Sequence, residues 1–141
     1  MFSIHPMRAT DVPAAHVIRL AVRENRLSDP SVVTEQDYHD FLTRDTMSWV
    51  CELDGELAGF VMVDVEKCNL WALFVAPEHE GKGIGRALHE TMITAYLKHR
   101  DVLRLTTAPE TRAAQFYRKA GYTEQGRTTN RKELIFELRR P

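Results

Sequence analysis

Six consecutive residues, Leu70-Trp71-Ala72-Leu73-Phe74-Val75, contain no polar side chain, and Ala76-Pro77 closes the run. Successive side chains of a strand point to opposite faces, so a strand apolar at every position must be covered on both sides. That requirement places it inside a sheet with helices on each face. Just upstream the apolar residues switch to period-two spacing from Ser48, and Asp54-Gly55 separates Trp49–Leu53 from Leu57–Val65. Asp-Gly between two such runs is a strong hairpin signal, because a tight two-residue turn needs positive φ at its central positions. Three strands in succession, from Trp49 to Val75, do not fit the βαβ alternation of a doubly wound dinucleotide fold.

The remaining segments supply the cover. Ser3–Arg8 reads as a short strand, and Thr10-Asp11 with Pro13 opens a helix reaching about Asn25, whose buried face is Ala14, Ile18, Ala21 and Val22. Leu27–Val33 reads as a loop, Thr34 and Asp37 approximate a capping box, and Tyr38, Phe41 and Leu42 face inward on a second helix. Ile84, Ala87, Leu88, Thr91, Met92, Ala95 and Tyr96 follow helical spacing. Val102–Thr107 is the next strand, and Pro109–Ala120 a helix burying Ala113, Phe116, Tyr117 and Ala120, stopped by Gly121. Tyr122–Gly126 and Leu134–Leu138 are the last strands. The predicted fold class is α/β, of the α+β kind: a mixed, mostly antiparallel central sheet of about six to seven strands flanked by about four helices.

Composition narrows the function classes. The 141 residues fit one domain, 1–141, with a core large enough to stand without disulfide or metal. Nineteen basic against twenty acidic residues leave a net charge of −1, which argues against a nucleic-acid partner. No apolar run approaches the length of a membrane span and Met1–Thr10 lacks a signal-peptide core, so a cytoplasmic protein with no membrane partner is expected. Cys51 and Cys68 carry no C-x-x-C spacing, and His5, His16, His39, His79, His89 and His99 include no i, i+4 pair, so no metal is expected.

The chemistry concentrates in Gly81-Lys82-Gly83-Ile84-Gly85-Arg86, which joins the apolar strand to the most amphipathic helix. Unpaired N–H groups and the helix dipole favour an anion at such a junction, and phosphate is the natural guest. Glycines let backbone approach the guest, while Lys82 and Arg86 add positive charge. The alternative is a tight turn with solvated cations. The loop is neither a Walker A sequence nor a dinucleotide fingerprint, since Leu88 stands where the latter needs a small residue.

Glu80-Gly81-Lys82-Gly83-Ile84-Gly85-Arg86-Ala87-Leu88, following Leu73-Phe74-Val75-Ala76-Pro77, resembles the acetyl-CoA motif of the GNAT superfamily of N-acetyltransferases. Ala113-Ala114-Gln115-Phe116-Tyr117-Arg118-Lys119-Ala120-Gly121-Tyr122 is similar to that family's late A-x-x-F-Y-x-x-x-G-[FYW] segment. Element order and length agree as well. The resemblance implies that acetyl-CoA is the acetyl donor, with pyrophosphate held by Gly81, Lys82, Gly83, Ile84, Gly85 and Arg86 and the pantetheine arm alongside main-chain groups of Leu73, Phe74 and Val75. It further implies that the strand ending at Val75 splays from the Val102–Thr107 strand, and that an N–H near Phe74 or Val75 polarises the thioester carbonyl. Tyr117 is then the proton donor to the departing thiolate; read from spacing alone, it packs beside Phe116.

Two positions depart from the family pattern: Glu80 stands where Gln or Arg is usual, and Glu110 where Asn is frequent. A carboxylate near a pyrophosphate is repulsive unless turned outward or paired with a cation such as Lys82. No general base is legible; Glu52, Asp64, Glu66, His16 and His39 read as solvated or structural, and Arg112, Arg118 and Lys119 as a solvated helix face. Acceptor specificity is expected from the loop Arg26–Val33, the second helix and the Arg127–Arg131 connection. The leading expectation is transfer of an acetyl group to a primary amine of a small molecule or peptide, by direct attack in a ternary complex; a homodimer is compatible with the resemblance. The alternatives are an inactive CoA-binding sensor or interaction module, and a nucleotide- or phosphate-binding protein of unrelated mechanism.

Overall fold

The computed structural model describes residues 1–22 and 33–141. Strand β1 (Phe2–Pro6) leads through a 3-10 turn into α1 (Val12–Ala21); α2 spans Glu35–Leu42, and β2 (Thr46–Leu53), β3 (Glu56–Asp64) and β4 (Asn69–Val75) follow. A second 3-10 turn at Pro77–His79 precedes α3 (Ile84–Tyr96), then come β5 (Val102–Thr107), α4 (Arg112–Lys119), β6 (Thr123–Arg127) and β7 (Leu134–Arg139). The strands form one seven-stranded sheet in the order β1-β2-β3-β4-β5-β7-β6, antiparallel except at β4–β5. The sequence predicts this element order, and the sheet is the mixed, mostly antiparallel one expected. Among the described residues no helix is long and apolar enough to cross a membrane.

Local chemistry explains most boundaries. Asp54 and Gly55 both have positive φ, 53° and 81°, so the predicted turn closes β2 onto β3. The capping box at α2 is also present: Thr34 N–H donates to Asp37 at 2.7 Å. Several boundaries move. Helix α1 ends at Ala21 and Val22 is extended, so the helix does not continue toward Asn25. Its buried residues are Val12, Ala15 and Ile18, while Ala14 and Ala21 are exposed. The expected loop at 27–33 lies outside the described residues apart from Val33, which is buried. In α4 the turn starts later, with the Thr111 hydroxyl accepting from Ala114 N–H at 3.1 Å, and Ala114 with Tyr117 is buried instead of Ala113 and Ala120.

Two apolar layers flank the sheet. One, against α3 and α4, contains Val61, Val63, Leu70, Ile84, Leu88, Met92, Leu103, Leu105, Tyr117 and Phe136. The other, against α1 and α2, contains Val12, Ile18, Tyr38, Phe41, Phe60, Met62 and Ala72, with Trp71 and Phe74 packed on it. The strand buried along nearly its whole length is β3; β4 is central but half-buried at Trp71, Leu73, Phe74 and Val75. The difference arises because one edge of β4 is open. A bulge adds a second peculiarity: Met62 pairs with Ala72 and Val63 with Leu70, leaving Trp71 without a partner. Trp71, Ala72 and Phe74 therefore share the α1 side, where strict alternation would have sent Trp71 to the other.

Helix α3 reaches the sheet through Gly59. A Cβ there would lie 2.9 Å from the Phe74 carbonyl oxygen, 3.1 Å from Leu88 Cδ1 and 3.2 Å from Ile84 Cγ2. The nearest of these atoms is backbone and cannot rotate away. Gly59→Ala is expected to destabilise the fold by about 1–3 kcal/mol through overpacking, read as a lower urea midpoint at unchanged slope.

Candidate active site in the split between β4 and β5

The two parallel strands pair only at Asn69 and Arg104, where Arg104 N–H also donates to the Cys68 carbonyl at 2.9 Å. Beyond that point they diverge. The gap is a cavity of about 630 Å³, lined by β4 from Asn69 to Phe74, by Leu105–Ala108, by Ala113 and Tyr117 of α4, by Arg19 of α1, and by Asn130, Lys132 and Glu133. It passes from one apolar layer to the other, since Tyr117 belongs to the α3–α4 layer and Trp71 with Phe74 to the α1–α2 layer.

Hydrogen-bond alternation fixes which β4 groups face this opening. Ala76 N–H donates to the Ala58 carbonyl at 2.8 Å, so Ala76 and, two residues earlier, Phe74 direct their main-chain groups at β3. Leu73 and Val75 direct theirs the other way, where β5 has left. Of the two donors the sequence offers, Phe74 and Val75, the open edge presents Val75.

At the end of β4 the glycine loop takes left-handed turns at Gly81 (φ 78°) and Gly83 (φ 82°), and a Cβ on either would meet nothing within 4 Å. Both glycines thus turn toward open space, and Gly83 caps α3, whose first N–H groups lack intrahelical acceptors. A Cβ on Gly85 would make only an ordinary contact, 3.6 Å from Val75 Cγ2. Lys82 Nζ donates to His79 Nδ1 at 3.0 Å, and Arg86 is exposed on the first turn of α3. Open backbone, an uncapped helix start and local positive charge suit a phosphate-bearing group.

Glu80 is paired, but with Arg112 at the start of α4 and not with Lys82. The ion pair links the loop after β4 to the helix after β5, bracing the mouth of the split. Glu110 is exposed and left-handed, φ 59°, a conformation Asn tolerates better than Glu, so its position is one of backbone geometry.

Tyr117 lines the cavity and is 7% exposed. Burial pushes its phenol well above the ordinary value, so it holds its proton throughout the neutral range. Its ring meets Phe116, Tyr122 and Phe136 at centroid distances of 5.3, 5.2 and 6.3 Å. Tyr122 is in turn held by His89 of α3, whose Nε2 lies 2.7 Å from the Tyr122 hydroxyl.

The carboxylates and histidines considered from sequence lie elsewhere. Glu52 pairs with His5 at 2.9 Å, Asp64 with Arg44 at 2.9 Å, and His16 Nδ1 lies 3.2 Å from the Tyr38 hydroxyl. Neither these three nor Glu66 and His39 line the cavity. Cys51 and Cys68 do not line it either, and burial pushes the Cys51 thiol up. Arg118 pairs with Glu124 at 3.0 Å. Sequence reasoning missed Glu133, which is the one carboxylate on the cavity wall among the described residues, Thr107, whose buried hydroxyl has no hydrogen-bond partner, and Arg19. Glu133 lies just past the connection expected to shape specificity; nothing local marked the other two.

Residues 44–124 match the family model described as an acetyltransferase (GNAT) domain. An uncharacterised N-acetyltransferase from Methanocaldococcus jannaschii is 33% identical over 88 residues, covering 55% of this chain and 39% of that protein. This chain therefore matches well under half the length of that relative. Among solved structures, the ribosomal-protein alanine N-acetyltransferase of Escherichia coli superposes with a TM-score of 0.80 at 24% identity, over 99% of this chain and 94% of the other. The PaiA N-acetyltransferase from Thermoplasma acidophilum, solved with coenzyme A, gives 0.80 at 17% identity over 99% of both chains. At such identities these two likenesses speak for the fold.

Burial holds the His89 imidazole below its ordinary pKa, so the folded state resists a proton that the unfolded chain accepts. The resulting stability is complete above the unfolded value of about 6.5 and is lost as pH falls below it, by at most about 1.4 kcal/mol per pH unit for one proton. Melting temperatures from pH 7.5 to 5 should fall less steeply for His89→Gln than for the parent chain.

Proposed function

The chain belongs to the acetyltransferase (GNAT) domain family, and from that premise we propose that residues 1–141 form one acyltransferase domain that moves an acetyl group from acetyl-CoA to a primary amine by direct attack in a ternary complex. The observation that carries this reading is the split itself: an unpaired β4 edge and a protonated buried phenol border one cavity, and a phosphate-suited glycine loop follows the end of that same strand.

The residues fit the donor. The N–H groups from Gly81 to Arg86 would hold the pyrophosphate, and the open main-chain groups of Leu73 and Val75 would hold the pantetheine arm as an added strand does. Acetyl-CoA supplies an activated acyl carbon and a thiol leaving group. The Val75 N–H faces the place where negative charge develops on the acyl oxygen, and a fixed donor there needs no reorganisation during reaction. Tyr117 keeps a proton for the departing thiolate, which its raised pKa makes a hydrogen-bonding donation that completes late. An amine of pKa near 10 arrives mostly protonated. Glu133 is the cavity carboxylate available to take that proton, directly or through water. Glu80, neutralised by Arg112, does not oppose the pyrophosphate, which weakens the case for a sensor that has lost transfer.

Thermal unfolding with acetyl-CoA, ATP and NAD at equal concentration tests the reading. Ligand at 100 times Kd adds about 2.7 kcal/mol, a rise of several degrees for a domain of this size. Acetyl-CoA alone should produce it, and Gly83→Val should abolish it, because a side chain would strain the left-handed turn and enter the space beside the loop. Equal shifts with ATP or NAD would count for the nucleotide-binding alternative. Tyr117→Phe should lower kcat by about 100-fold with little change in the KM for acetyl-CoA; an unchanged kcat removes Tyr117 from the reaction.

A further inference from the structure

Arg19 is the one cavity-wall residue that α1 contributes among the described residues. It projects from α1, and its guanidinium carbon lies 5.0 Å from the ring centroids of both Trp71 and Phe74. The guanidinium meets the Tyr38 hydroxyl, but its Nε and Nη1 are buried and have no hydrogen-bond partner. No ion pair reaches it among the described residues. Aromatic faces return about 0.5–2 kcal/mol to a desolvated cation, but they do not supply the acceptor that the two open N–H sites lack. A guanidinium kept in that condition beside a cavity is completed by something that enters the cavity.

The fork of N–H donors matches a carboxylate in two parallel bonds, the geometry that distinguishes arginine from lysine. Charge on the wall agrees. Arg19 and Lys132 are cationic and Glu133 alone is anionic, so an amine without a compensating negative group meets a net positive lining. Arg19 stands on the α1 side of the split, whereas Tyr117 and the glycine loop belong to the α3–α4 side. It therefore addresses the acceptor and not the donor.

We propose that the acceptor is a small amino carboxylate, such as a free amino acid, whose carboxylate is received by Arg19 over the Trp71 and Phe74 rings while its amine faces the acyl group. The proposal rests on the acetyl-transfer reading above and deepens it by naming the substrate class. Nothing in the reaction changes: the amine nitrogen bonds to the acyl carbon, the C–S bond breaks, the amine loses one proton and the thiolate gains one. The carboxylate is a handle and stays ionised.

The test is thiol release from saturating acetyl-CoA by the full chain, with the proteinogenic amino acids and their α-carboxamides as matched acceptors. At least one acid should react with a kcat/KM about tenfold or more above its amide, since a site with an unpaired charged donor rejects the analogue that cannot satisfy it. In Arg19→Gln that ratio should fall to about one through a raised acceptor KM, and Arg19→Lys should recover part of it. The KM for acetyl-CoA should hold in both variants, which shows that they are folded. Amides reacting as well as acids, a preference that survives Arg19→Gln, or no turnover of any acid by a protein that acetyl-CoA stabilises would each overturn the proposal and leave the cofactor reading standing. Failure of acetyl-CoA to stabilise the protein would instead remove the acetyl-transfer reading on which the proposal rests.

Discussion

Parting of β4 from β5 is the constraint on which the rest of this structure depends. Parallel neighbours in a sheet normally share a ladder, yet here pairing stops at Asn69 and Arg104, and the main-chain groups of Leu73 and Val75 are left facing a gap. Unpaired backbone inside a protein is costly unless a partner arrives. The architecture around the gap keeps it open without letting it collapse: α3 is seated hard against β3 at Gly59, α4 is placed by the Thr111 cap, and the Glu80–Arg112 pair ties the two rims together. What reads as a defect in the sheet is the position at which a second chain-like molecule can complete it.

For the proposed transfer, the gap offers two chemically distinct approaches. On the α3–α4 side stand a helix start, exposed backbone amides and a buried phenol, all suited to a phosphate-bearing thioester. On the α1–α2 side stand aromatic rings and the Arg19 guanidinium, and the cavity wall also carries the lysine and carboxylate of the β6–β7 connection. Donor and acceptor can thus meet from opposite faces of the sheet without sharing a binding surface. Such separation lets one face be altered while the other is kept.

The side proposed for the donor was largely legible in the sequence, and the side proposed for the acceptor was not. Asp54-Gly55, the glycine loop and the Phe116-Tyr117 segment are local signals, in which neighbouring residues alone dictate turn, cap and helix. The element order followed from them. Arg19, Thr107 and Glu133 carry no such mark, because what matters about them is the space they share with residues far along the chain. Gly59 is similar: a glycine in an otherwise apolar strand shows its purpose only once Ile84 and Leu88 are seen to press on it. That a cation pairs with Glu80 was foreseen as one way to remove the repulsion, but which cation was not legible, since Lys82 is near in sequence and Arg112 near in space. Which face each β4 residue takes was not legible either, for strict alternation cannot anticipate the unpaired Trp71.

That unpaired residue has a consequence for how such a site can diversify. The bulge divides β4 into two stretches whose inward and outward positions are counted separately: Ala72 to Val75 on one side, Asn69 and Leu70 on the other. Removing the unpaired Trp71 would restore continuous pairing and take the indole out of the α1 side of the wall, while the stretch from Ala72 to Val75 kept its register. A change in chain length by a single codon, with no change of side-chain chemistry at the donor edge, could then exchange one class of acceptor for another. Related chains that differ in acceptor would accordingly be compared first by residue count in this strand, and only then by the identity of what lines the cavity.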